Sequence, residues 1–300
     1  MQITRKEQDI SPSIYQMIDQ IKERMPEHPE LVDMFRNCFT NTMATTIQRK
    51  EDGTTFVITG DIPAMWLRDS AAQVRPYLVL ASQDKDVADM IAGLVERQLS
   101  YVLLDPYANA FNETESGKGH QADLTQMNDW IWERKYEIDS LAYPIQLSYL
   151  LWKNTGRTDQ FNDTFRKAIK VIMQLWQVEQ HHESKSPYSF QRLHAPVTDT
   201  LGREGRGTET AYTGMTWSGF RPSDDRCEYG YLIPSNMFAV VALRYVQEIA
   251  ESVYRDATMG KRPVYWPKKS TQAFSSTGGW NIPNSERYML MRRTEWAITI

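Results

Sequence analysis

The sequence predicts an all-α protein built from consecutive helical hairpins, on three observations. Apolar residues recur at helical spacing through most of the chain. Long polar stretches rich in aromatic residues separate those segments. No low-complexity linker or block of like charge divides the helical segments, so they are expected to share one large core.

The first expected pair covers residues 12–25 and 30–48, the second member carrying Leu31, Met34, Phe35, Cys38 and Phe39 on one stripe. Residues 70–82 and 86–103 form the next pair, with Met90, Ile91, Leu94 and Leu99 as apolar positions. Further helices are expected over 136–155 and 158–182, then a long one over 231–254. The loops between them are 52–69, 104–132 and 184–228, with short β segments at Thr54–Thr59 and near Tyr188–Phe190. Closing such hairpins into a toroid would gather the long loops over a central cavity, but an open solenoid gives the same pattern.

Composition narrows the function classes. A net charge of −4 and a pI near 5.8 argue against nucleic acid or an anionic membrane as partner. Cys38 and Cys227 lie far apart with no metal-type spacing, which suits separate thiols in a reducing compartment. The N-terminal MQITRKEQDISPSIYQM has no apolar core of a signal peptide, and no run reaches membrane-spanning length, so a cytoplasmic location is expected. The chain lacks GxSxG, GxGxxG and a phosphate-binding loop, and His181-His182 has no third ligand at useful spacing. Neither cofactor nor metal is expected. Nine Trp and fifteen Tyr are many for helical packing alone. Such rings fill cores, and they also form flat platforms that stack on sugar faces.

Carboxylate chemistry is what the motifs leave. In 217–238, WSGFRPSDDRCEYGYLIPSNMF, Asp224 and Asp225 follow Arg221-Pro222 among Trp217, Phe220, Tyr229 and Tyr231. Adjacent like charges ionise together only at a cost, so one carboxyl is expected to keep its proton, as a general acid must. The plain alternative is a cap for the helix that follows. In the second cluster, GDIPAMWLRDS at 60–70, Trp66 offers a ring while Arg68 and Asp69 offer donors and acceptors to vicinal hydroxyls. There, Asp69 or Ser70 could instead cap the next helix, and Arg68 could simply pair with Asp61 or Asp69. The third, WIWERKYEIDS at 130–140, places Glu133 and Glu137 four residues apart on one helical face, with Arg134 in reach of Glu137 or Asp139. A solvated helix start would explain those charges, but not Trp130 and Trp132.

The strings GDIPAMWLRDS, DPYANAFN, WERKYEIDS, YSFQR, VTDT, YTGMTWSGFRPSDD and YGYLIPSNMFAVVALRY, in that order, resemble glycoside hydrolase family 125, the exo-α-1,6-mannosidases. The resemblance runs from about residue 30 to about residue 256. It implies an (α/α)6 toroid, incomplete in this chain, and metal-independent inverting hydrolysis. The product would be non-reducing terminal mannose, released from a mannose-containing oligosaccharide or N-glycan fragment. By motif, Asp224 matches the general acid, with Asp225 as the alternative. The segment holding Arg68 and Asp69 matches part of the sugar subsite, with Trp66, Asn109, Trp132, Glu133 and Arg221 as further candidate substrate contacts.

The family's general base is a Glu in a C-terminal segment without counterpart here, and neither Glu286 nor Glu295 has the expected surroundings. Inversion needs both carboxyls, about 6.5–9.5 Å apart. An active hydrolase and a non-catalytic mannoside-binding remnant are therefore both open. Residues 261–300 also depart from the family and lose helical period. Read one nucleotide upstream, suitable codons would give KAGILAEEIDAGIQQYG, an amphipathic helix. The expectation is a frameshift between about Asp256 and Lys261, leaving a catalytic-type domain at 1–256 and an aberrant tail at 257–300.

Overall fold

The computed structural model describes residues 10–256, and the expected tail at 257–300 lies outside them. The first hairpin is α1 (Pro12–Arg24) and α2 (Pro29–Thr45), each opened by a proline, whose missing N–H costs nothing in a first turn. Its apolar stripe is only partly used: Val32 and Phe39 are buried, whereas Leu31, Met34 and Cys38 are exposed. A two-stranded ribbon follows, β1 (Ile47–Arg49) against β2 (Thr55–Val57), with Gln48 opposite Phe56.

The second hairpin starts earlier than its sequence suggests. Strand β3 (Met65–Trp66) runs straight into α3 (Leu67–Val74), and Pro76 then breaks the helix into a 3-10 turn, Arg75–Tyr77, and α4 (Leu78–Ala81). Helix α5 (Lys85–Leu104) is capped by Asp84, whose carboxylate accepts from the amides of Asp86 and Val87. Two further strands, β4 (Ala110–Phe111) and β5 (Ile131–Glu133), join β3 in a sheet ordered β3-β4-β5. Strands this short show no alternation, and pairing across the fold creates them.

The third hairpin is α6 (Ile138–Thr155), ended by left-handed Gly156, and α7 (Asp163–Glu179), capped by Asn162. Single turns follow at α8 (His182–Lys185) and α9 (Gly202–Gly205). The expected strand near Tyr188–Phe190 does not form; the neighbouring Gln191 makes one isolated bridge to Leu124. The last described helix, α10 (Ile233–Ile249), runs into a π turn at Ala250–Tyr254.

Helix α6 is the hub, packed by α3, α5 and α10. Its Leu141, Ile145 and Leu151 share a core with Ile91, Leu94 and Leu99 of α5, Ile169 and Trp176 of α7, and Leu243 of α10. Trp217 lies fully buried beneath the 218–230 loop, stacked 3.6 Å from the His182 ring. A Cβ added at Gly230 would stand 2.5 Å from the indole Nε1, and one at Gly219 3.1 Å from its Cη2. Only glycine lets the backbone pass so close. Among the described residues no helix is long and apolar enough to cross a membrane.

Candidate functional site

Three chain segments converge on Arg68. The first is the β3–α3 junction, where Trp66 occupies the cap position with no side-chain cap, and Arg68 and Asp69 follow in the first turn. Neither Asp69 nor Ser70 caps the helix; buried Ser70 instead accepts from Gln98 at 2.8 Å. The second is the head of α6. Chain 134–137 is outside any helix, so Glu137, with extended backbone, occupies the cap position and Asp139 the first turn. The third is the loop carrying Asp224, which has a left-handed φ of 62°. The Asp224 amide donates to the Arg221 carbonyl, and Lys135 Nζ donates to the Asp224 carbonyl, each at 2.8 Å. Aspartate tolerates that backbone better than most residues, and strain of this kind gathers at functional sites.

Arg68 is surrounded by carboxylates. Its guanidinium lies 2.7 Å from Glu137, 3.3 Å from Asp69, 3.6 Å from Asp224 and 3.9 Å from Asp139. Burial pushes Glu137 well above the usual carboxylate range, against the pull of Arg68. Asp139 is raised for the same first reason. Asp224 is raised by burial and then by the charge of Glu133, with Arg68 and Lys135 opposing. Four buried polar atoms here lack a hydrogen-bond partner: Trp66 Nε1, Glu137 Oε1, Asp139 Oδ2 and Asp224 Oδ1. One donor and three acceptors left open suit a hydroxylated ligand.

A second ionic network backs the first. Asn109 Nδ2 donates to Glu133 Oε1 at 3.0 Å, and its Oδ1 accepts from the Lys135 amide at 3.0 Å, tying β4 to β5. Arg192 donates to Glu133 at 2.9 Å, to Asp123 at 2.7 Å and to Asp199 at 3.0 Å. Lys135 Nζ also donates to Asp199 and lies 5.2 Å from the centre of the Phe220 ring.

Several expectations change. Asp225 is not the cause of Asp224's shift: it faces away, accepting from Arg221 and Ser223 at 2.8 Å each, and Ser223 first among its partners holds it below the ordinary range. Arg221 is thereby taken up on an exposed surface, outside the Arg68 cluster. Arg134 bridges neither Glu137 nor Asp139 but donates to Asp105 at 2.7 Å and Thr125 at 2.8 Å. Glu133 and Glu137 share no helical face, because one sits in β5 and the other precedes α6. Trp66 is 5 % exposed among Ala64, Ala110, Ile62 and Trp132, so it offers an edge rather than a stacking face. Trp132 keeps a half-open ring, edge-on to His120 at 6.4 Å.

Sequence reasoning did not select Glu137, Asp139, Lys135, Arg192 or Asp199. The available signal was charge crowded between aromatic residues at 130–140. His182 is structural: its ring nitrogens meet Glu179 Oε2 at 2.7 Å and the Arg206 carbonyl at 3.0 Å. Among the described residues no group of three His, Cys, Asp or Glu is arranged to hold a metal ion. A cavity of about 290 Å³ is lined by Arg203, Arg226, Cys227 and Glu228 among others.

Fold and site together define a helical-hairpin protein whose loops converge on a guanidinium-clamped carboxyl cluster. The model for metal-independent alpha-mannosidases (GH125) matches residues 28–287, and the chain belongs to that family. The match continues past residue 256, the boundary expected from the sequence. A solved Streptococcus pneumoniae structure from a study of metal-independent alpha mannosidases, a non-productive substrate complex with alpha-1,6-mannobiose, is 52 % identical with a TM-score of 0.86. That alignment covers 88 % of this chain and 63 % of the solved one. The meiotically up-regulated gene 157 protein of Schizosaccharomyces pombe is 35 % identical over 290 residues, covering 89 % of this chain and 56 % of the yeast protein. The chain thus spans less than two thirds of either relative.

Proposed function

We propose that this chain belongs to a glycoside hydrolase that removes non-reducing terminal α-1,6-linked mannose from an oligosaccharide or N-glycan fragment, with inversion and without a metal. One observation carries the reading. Asp224 is a carboxyl with a raised pKa, 3.6 Å from Arg68 and beside polar atoms that lack partners. Asp224 protonates the departing glycosidic oxygen, while Arg68 and Asp69 grip the terminal sugar and the buried carboxyls at the head of α6 hold Arg68 in place. The mannobiose complex of the 52 % identical relative supports the substrate class. Inversion also requires a second carboxyl to activate water. The family resemblance assigns that role to a Glu in a C-terminal segment without counterpart in this chain. A cytoplasmic setting accords with two free cysteines.

The test compares wild type with Asp224→Asn on α-1,6-mannobiose and on an aryl mannoside with an activated leaving group. Loss of about 10²–10⁴-fold is expected on the disaccharide and much less on the activated substrate. Full activity of the variant on mannobiose would refute the role. Calorimetric binding of mannobiose by wild type without turnover would favour the non-catalytic remnant instead.

A further inference from the structure

Asp224 and Glu137 approach from opposite sides, one from the 218–230 loop and one from the head of α6, and reach the same guanidinium. Arg68 Nη1 donates to Glu137 Oε2 at 2.7 Å, and its Nη2 lies 3.6 Å from Asp224 Oδ1. Protonated, the Glu137 side chain favours the ionised form of Asp224 as a hydrogen-bond donor. Yet Glu137 Oε1 and Asp224 Oδ1 are both buried without a hydrogen-bond partner. Ionised carboxylates only accept, so those two buried oxygens cannot satisfy each other unless a proton lies between them.

We propose that Glu137 and Asp224 form a one-proton carboxyl pair clamped by Arg68, and that Glu137 is the positioning residue that sets when Asp224 carries its proton. The second half rests on Asp224 being the acid; the pair itself does not. Surrounding groups act in definite directions. Arg68 and Lys135 favour ionisation of Asp224, and Glu133 favours retention of its proton. Asp139 favours retention at Glu137, and Asp69 does the same at Asp139. Cys227, which also faces Glu137, is pushed up to about 12 by burial and adds no charge at neutral pH. One guanidinium among four carboxylates cannot neutralise them all, and retaining one proton relieves the excess. Solvent exchanges that proton at Asp224, whose side chain is 41 % exposed, and not at Glu137, which is 0 % exposed. Such a pair titrates in two macroscopic steps that belong to both residues.

The test is a carbon-13 NMR titration of Asp and Glu side-chain carboxyls in the whole chain, run beside the pH profile of aryl mannoside hydrolysis. In wild type the two carboxyls should titrate together and hold one proton at neutral pH. Glu137→Gln keeps a donor toward Asp224 and removes the second titrating carboxyl, so the upper macroscopic step should vanish and Asp224 should ionise about one pH unit below it. The upper limb of the rate profile should fall with it, about tenfold at a fixed pH above the midpoint. Glu137→Asp should recover part of the shift. Asp224→Asn, at a half-open position, tests the pair from the other side if the first variant does not fold: Glu137 should lose its proton at lower pH. Independent one-step titrations in wild type, or an unmoved Asp224 midpoint in folded Glu137→Gln, would overturn the pair. A coupled pair in a chain that hydrolyses no mannoside would sink the mannosidase reading and leave the pair standing.

Discussion

Replacing Arg68 with Met keeps the aliphatic stem and removes the one cation that four carboxylates share. Of the four contacts, that to Glu137 is hydrogen-bonded and dry, at 2.7 Å with the Glu137 side chain 0 % exposed. A charge-assisted bond of that kind is worth about 1.5–3 kcal/mol net. Asp69 and Asp224 are more than a third open, so solvent screening discounts their share to about 1 kcal/mol together. Adding buried Asp139 gives a loss of about 3–5 kcal/mol, the usual result of removing one partner from a buried pair.

The pH dependence has a definite sign. Burial raises Glu137, Asp139 and Asp224, so their protons bind more tightly in the folded state. Their contribution is complete below the ordinary carboxylate range and is lost as pH rises through the folded values. Arg68 pulls all three down, so its removal raises them further and extends the loss upward. The deficit should therefore grow between about pH 4 and about pH 7. Urea unfolding of wild type and Arg68→Met at both ends of that window measures it. An equal deficit at both pH values, or one below about 1 kcal/mol at neutral pH, would refute the electrostatic clamp.

Glu179→Gln should cost about 3–5 kcal/mol in urea midpoint measurements. The Glu179 carboxylate, fully buried, accepts from Tyr107 at 2.7 Å and half-buried Ser186 at 2.6 Å and meets His182 at 2.7 Å. Asp225→Asn should lower mannobiose turnover only a few-fold, against the far larger loss for Asp224→Asn; the reverse ranking would make Asp225 the acid. Sequencing the coding DNA across 250–300 tests the proposed frameshift, and codons unable to yield the alternative helix would end that idea.

The hairpins were legible because core helices carry apolar stripes. Their ends were not: Pro76 splits the segment expected to run over 70–82, and the Asn162 cap starts α7 later than periodicity suggests. The three-stranded sheet left no signal, since strands of two or three residues come from tertiary pairing. At the site, the adjacent aspartates drew attention to the loop that reaches Arg68, for an incomplete reason. Burial and Glu133 raise Asp224, while Asp225 pairs outward. Glu137 was in view but was assigned to a helical face shared with Glu133, because nothing local announces that α6 starts only at Ile138. Ring counts misled as well, since Trp66 and Trp217 are absorbed by packing and Trp132 alone of the three keeps an open face.

The indole of Trp217 acts as an axle for the loop that carries Asp224. Backbone at Gly219 and Gly230 wraps the ring on either side of position 224, so the loop's aim is fixed by a side chain that never meets solvent. Variation around Arg68 is free to proceed so long as that ring and its glycines persist. A smaller residue at 217 would loosen the carboxyl's bearing without touching the pocket at all.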